Sequence, residues 1–151
     1  YRTAKTTKTA DSIAARDSSG DLYANIFNGT ATAAQYADLA EKYLTDQNYE
    51  AGTVVTVGGP AEVTACTQGS HPIGVVSTNP AYMMNSELDG GTYIALKGRV
   101  PVKVGGKVNK GDTLVAGNNG YAVAGSASHI FAVALQSNED DAVAFIEAVI
   151  L

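Results

Sequence analysis

From Tyr49 to the end of the chain, apolar and polar residues alternate over short runs, each closed by Gly, Pro or Asn. That period of two predicts strands rather than helices. Thr53–Val57 reads as a strand stopped by Gly58-Gly59-Pro60, Glu62–Thr67 as a second, and Ile73–Thr78 as a third. Tyr93–Leu96 leads through Lys97-Gly98-Arg99 into Val100–Val104, where Pro101 places the segment on an edge or at a bulge. Val108–Val115 is a turn entering a strand, and Asn118-Asn119-Gly120 turns into Tyr121–Ala124. Ile130–Leu135 and Ala142–Ile150 close the series; the last run also fits helical spacing, and the short element and hairpin-sized turn Ser137–Asp141 before it favour a strand. Many short strands with regular turns predict a small β-barrel or β-sandwich over residues 49–151.

The first 48 residues follow other patterns. Residues 1–32 hold sparse apolar positions among Thr, Ala, Ser, Asp and Asn, which predicts an extended arm. Two alternating pieces, Asp11–Arg16 and Leu22–Phe27, flank the turn-forming Asp17-Ser18-Ser19-Gly20-Asp21, and Asn28-Gly29 is a second turn signal. Two such short strands bury too little surface to stand alone in water, so the arm needs a partner. Residues 33–48 are expected to form a connecting segment built on one short α-helix, from about Ala33 to Leu44. Thr32 is its candidate N-cap and Gln35 completes a capping box; Tyr36, Leu39, Ala40 and Tyr43 share one apolar face. The expected fold class is therefore mainly β: extended arm, short helix, then a small barrel or sandwich.

Composition narrows the function. The chain is 45% hydrophobic but only 17% charged, rich in Val, Ala and Gly, with no Trp. Net charge is −5, which argues against nucleic acid as a partner, because counterion-release binding needs a basic surface. The basic run Arg2–Lys8 is local and thin, a solvated arm. No apolar run approaches the ~20 residues of a membrane span, so no membrane insertion is expected. Because the sequence starts at Tyr1 rather than Met, a fragment of a longer chain or a processed product is expected.

No residue set announces catalysis, a cofactor or a metal. Cys66 is the single cysteine, in an alternating run, so no intrachain disulfide or thiolate cluster can form. His71 and His129 lack a third orienting group, and there is no HxxxH or CxxC spacing for zinc. Gly105-Gly106-Lys107 and Lys110-Gly111-Asp112 lack Walker spacing and read as hairpin turns. Asn138–Asp141 lacks the ligand pattern of a calcium loop. Tyr82-Met83-Met84 sits in a loop-like segment whose aromatic and flexible side chains suit an intersubunit interface, a core or a receptor contact.

The run Thr9–Ala24 followed by Asn28-Gly29-Thr30-Ala31-Thr32 resembles a unit that recurs in bacteriophage fibre proteins, including those of cyanophages. Ala34–Leu44, Gly52–Val55 and Ile73–Ala81 resemble the C-terminal region of phage tail-fibre and neck-appendage proteins. The resemblance implies a structural component of the virion, assembled in the host cytoplasm: the C-terminal segment or tip of a fibre. Such a component is expected to form a homotrimer, meet other virion proteins, and contact a host-surface glycan or protein. Some relatives of that region are intramolecular chaperone domains that cut themselves off. For that alternative the sequence offers Ser77, Ser86 and Lys97, with Asn85-Ser86 as a scissile bond, but no family catalytic motif maps onto them, and the expectation is no enzyme. Residues 98–151 are similar to β-clip or barrel domains that decorate phage capsids, a further alternative.

Overall fold

The structure is a computed structural model that describes residues 3–7, 10, 12–24, 26, 33–34, 36–126 and 129–151. It divides into two compact units, Tyr1–Ala33 and Ala34–Leu151.

In the first unit, β1 (Ala4–Lys5) pairs in parallel with β2 (Ile13–Ala14), Ala4 opposite Ile13. The Asp17–Asp21 turn forms as its composition predicts. The Asp17 carboxylate accepts the N–H groups of Ser19 and Asp21, both at 2.9 Å, and Gly20 N donates to Asp17 O at 3.0 Å. The backbone donor of Asp21 chiefly holds the Asp17 carboxyl below the usual range. The second alternating piece is corrected: among its described residues no strand forms, and β1 supplies the pairing instead. Arg2, Lys8 and the Asn28-Gly29 signal lie outside the described residues. Ile13, Leu22, Tyr23 and Ile26 are all exposed, so the described residues of this unit form no apolar core.

The second unit is a closed five-stranded barrel carrying further strands. β8 (Thr92–Gly105), β12 (Val143–Ile150), β11 (Ala132–Ala134), β9 (Thr113–Ala116) and β10 (Ala122–Ala124) follow one another round the barrel. Ala122 of β10 meets Val104 of β8 in parallel and closes the ring. Its interior alternates as a half-buried strand must: Val100, Val102 and Val104 from β8, and Ile146, Ala148 and Ile150 from β12, point inward. Barrel diameter scales with strand number, so five strands enclose little room. This is why the core is Val and Ala with few larger residues, and why a Trp-free sequence suits it.

β8 is one continuous strand, where the alternation suggested two pieces. Its last eight residues pair with β12, while Thr92–Gly98 pairs with β3 (Asp38–Tyr43). On its other side β6 (Pro72–Val76) adds β4 (Val54–Val57) and β5 (Val63–Ala65). β7 (Tyr82–Met84), in a segment read as loop, pairs in parallel with β3 at the sheet's edge. A second cluster of Val55, Val63, Val76 and Ile94, with Tyr43 and Tyr49 against it, fills this outer part. Pro101 fits because N–H direction alternates along a strand. Lys103 N points away from β12 to Gly52 O, so Pro101 lacks its N–H on that same side, where no ladder needs it.

The expected helix is absent: residues 38–43 form β3, with Asp38 and Ala40 buried and Leu39 outward. Ala-Asp-Leu-Ala-Glu-Lys-Tyr fits period two as well as period 3.6. A helix of about twelve residues is marginal alone, whereas as a strand the segment completes ladders on both sides, with β8 and β7. The capping pair Thr32 and Gln35 lies outside the described residues.

Candidate functional site

The glycine-containing candidates are turns. Gly106 and Gly111 adopt positive φ, and Asp112 N donates to Asn109 O at 3.0 Å. Asn138 ties its loop internally, its amide donating to Gly106 O, Asp140 O and Ala142 O. Among the described residues no group of three or more His, Cys, Asp or Glu side chains is placed to hold a metal ion. Cys66 is fully buried, and burial pushes its thiol up to about 12. His71 and His129, far apart in sequence, meet with ring centroids 4.1 Å apart and planes tilted by 36°. No sequence signal links them. Neither ring hydrogen-bonds to an orienting carboxylate among the described residues.

The nucleophile candidates are dispersed. Lys97 stands exposed on β8 opposite Leu39. Ser86 is exposed, and the lysine beside it is Lys42, whose Nζ donates to Ser86 O at 2.9 Å and Leu88 O at 3.1 Å. Asn85 holds φ at 53°, and its amide donates to Lys42 O.

Ser77 is different, because its neighbourhood contains a carboxylate the sequence did not reveal. Gly98, at φ 103°, leaves room for the chain entering β3: a Cβ there would stand 2.2 Å from Ala37 O. β3 starts in that space, and its first residue, Asp38, is only 4% exposed. Asp38 O accepts from Ala81 N, which ties β3 to the chain leaving β6. Ser77, whose N–H donates to Tyr93 O, sits at that same exit. Tyr36, Asp38, Gly52, Ser77, Asn79 and Pro101 are among the residues lining one cavity of about 200 Å³. Asp38 Oδ2 is buried with no hydrogen-bond partner. A buried, unsatisfied carboxylate oxygen is costly, so a donor brought to it would be bound favourably. The expected apolar face of Tyr36, Leu39, Ala40 and Tyr43 is split: Ala40 is buried and Tyr43 packs on the outer core, whereas Tyr36 and Leu39 are exposed, as are Tyr82 (65%) and Met83 (52%).

The fold defines a class: a small, mainly β domain with a closed five-stranded barrel and added edge strands. Two solved structures share it. One is the C-terminal fragment of gene product 12 of bacteriophage phi29, at TM-score 0.60 and 14% identity over 76% of this chain and all of that one. The other is the pre-mature form of the same gene product, at TM-score 0.62 and 15% identity over 87% of this chain. The chain spans 23% of that longer protein's length. No protein-family model and no curated protein matches the sequence.

Proposed function

We propose that this chain is a structural component of a phage virion, the C-terminal segment or tip of a fibre, which assembles as a homotrimer and touches the host surface. The observation that carries this reading is the likeness of the fold to the phi29 C-terminal fragment, all of which is matched by 76% of this chain. The first unit supports it on physical grounds. Its strands are two residues each and its apolar residues are exposed, so pairing with equivalent arms is what would bury them. The exposed Leu39, Tyr82 and Met83, adjacent across β3 and β7, give the second unit an apolar edge for the same assembly. Labelling the protein in purified particles tests the location. Signal confined to fibres supports the proposal, and signal spread over the head favours the decoration alternative.

A second reading, a self-cleaving chaperone module, is favoured by one observation: Ser77 and the unpartnered carboxylate of Asp38 line the same cavity. A serine hydroxyl becomes nucleophilic when a base takes its proton, and a dry carboxylate can serve. Intact mass of the product against its full gene length decides. A fresh internal N-terminus that disappears in Ser77→Ala and in Asp38→Asn would establish cleavage, and an unprocessed chain would dismiss it.

A further inference from the structure

A second cavity, lined by none of Ser77, Ser86 and Lys97, has the chemistry of a ligand site. It measures about 420 Å³, inside the ~300–1,000 Å³ range of small-molecule pockets. Four pieces of chain build it: the β3–β4 loop with Asp46, Asn48 and Tyr49, strand β5 with Thr64, strand β8 with Lys103, and the β9–β10 turn with Asn119 and Tyr121.

The walls are fixed before any ligand arrives. Asn119 and Gly120 both adopt positive φ, 55° and 72°, the signature of a tight hairpin turn. Gly120 N donates to Cys66 O at 2.9 Å, and Gly120 O accepts from Val54 N at 2.8 Å, so the turn is laced to β4 and to the end of β5. Opposite, Tyr49 is locked between strand and loop. Its hydroxyl donates to Asp46 Oδ1 at 2.5 Å and accepts from Ala65 N at 3.0 Å. Thr64 Oγ1 donates to Asp46 Oδ2 at 2.9 Å. The Tyr49 hydroxyl chiefly holds the Asp46 carboxyl below its usual range, so the rim carries a fixed carboxylate at neutral pH.

The remaining polar groups are available. Among the described residues, the side-chain amides of Gln47, Asn48 and Asn119 make no hydrogen bond within the chain, and all three residues are exposed. Lys103, the cation of the cavity, is neutralised by its ion pair with Glu50, and its Nζ also lies 5.7 Å from the Phe145 ring centre. What faces a ligand is therefore one carboxylate, several planar amides and half-buried tyrosine rings, with no free positive charge. An anion such as a phosphate meets the Asp46 carboxylate unopposed, and an apolar ligand would strand the amides unpaired. A neutral polyol offers vicinal hydroxyls that both donate and accept, which match carboxylate and amide edges, and C–H faces that pack on tyrosine.

We infer that the Asp46–Asn48–Tyr121 cleft is a binding site for a neutral saccharide unit. The inference deepens the host-surface contact proposed above, by naming where on the domain it occurs and which ligand class it takes.

The test is a titration of the full chain, isotope-labelled, with glucose, galactose, N-acetylglucosamine, rhamnose and glucuronate, followed by amide chemical shifts. The expected result is saturable shifts of residues 47–50, 64–67 and 119–121 with at least one neutral sugar, at least tenfold weaker in Asn48→Ala. Glucuronate should bind more weakly than glucose in the native protein, and Asp46→Asn should narrow that gap. Because Asp46 also supports Tyr49, unchanged shifts outside the cleft must first show that the variant is folded; Asn48→Ala carries the result if it is not. No saturable shift from any neutral sugar, or equal binding by Asn48→Ala, overturns the inference. Sedimentation of the same sample reports assembly separately, so failure of the site and failure of the fibre reading are distinguishable.

Discussion

Asp38 enters the domain as the first residue of β3 and carries a buried oxygen without a partner, and that unsatisfied atom works against the isolated fold. Replacing a buried carboxyl group that lacks a partner by an apolar group of similar shape removes that penalty. Asp38→Leu, which has no polar side-chain atom, is therefore expected to raise stability against urea by about 1–3 kcal/mol. A loss of stability instead would mean the carboxylate has a donor that the free chain does not display. Cys66 shows the opposite relation of group to surroundings. Its thiol is favoured as the neutral form by burial, up to about 12, whereas an unfolded thiol ionises near ~8.5. With the folded pKa raised, the contribution is fully present below ~8.5 and declines as pH rises from there toward 12. The native protein should leave a thiol-specific disulfide reagent unreacted at pH 8 and react once unfolded; rapid native reaction would show an accessible thiolate.

Among the elements, β8 holds the domain together, because it belongs to the barrel through β12 and to the outer strands through β3 and β6. Gly74 of β6 is where that join is closest: a Cβ there would stand 2.2 Å from Ala95 O and 2.7 Å from Ile94 Cγ2. Backbone on one side leaves nothing to swing aside, so Gly74→Ala should cost about 1–3 kcal/mol or more in urea unfolding. An unchanged midpoint would mean that β6 is not seated against β8 as described. The same join explains what the sequence could and could not reveal. The turns at Gly58-Gly59 and Asn118–Gly120 and the strands β4, β5, β9 and β12 were legible, since alternation and turn chemistry are local signals. β3 was not: Tyr36–Leu44 satisfies helical and strand spacing at once, and the choice rests with β7 and β8, distant in sequence. β7 was missed because three residues carry no measurable alternation. The Asp38–Ser77 cavity and the Asp46 cleft were invisible for the same reason, each being assembled from segments that only the fold brings together.

At the scale of the whole molecule, the two units differ in what supports them. Residues 34–151 have a closed barrel with its own core, whereas the first unit has two-residue strands and its described residues Ile13, Leu22, Tyr23 and Ile26 are exposed. A chain that joins a self-sufficient domain to a dependent arm invites symmetric association, in which copies of the arm satisfy one another. Head-decoration and self-cleavage are distinct functions with their own tests, and neither changes the exposure of Ile13, Leu22, Tyr23 and Ile26. The most direct measurement of the central claim is sedimentation equilibrium of the intact chain at micromolar concentration. A homotrimeric fibre segment sediments as a species of three times 15.5 kDa, and that species is lost when residues 1–33 are deleted. A stable 15.5 kDa monomer whose arm amides are nevertheless protected from exchange would contradict it.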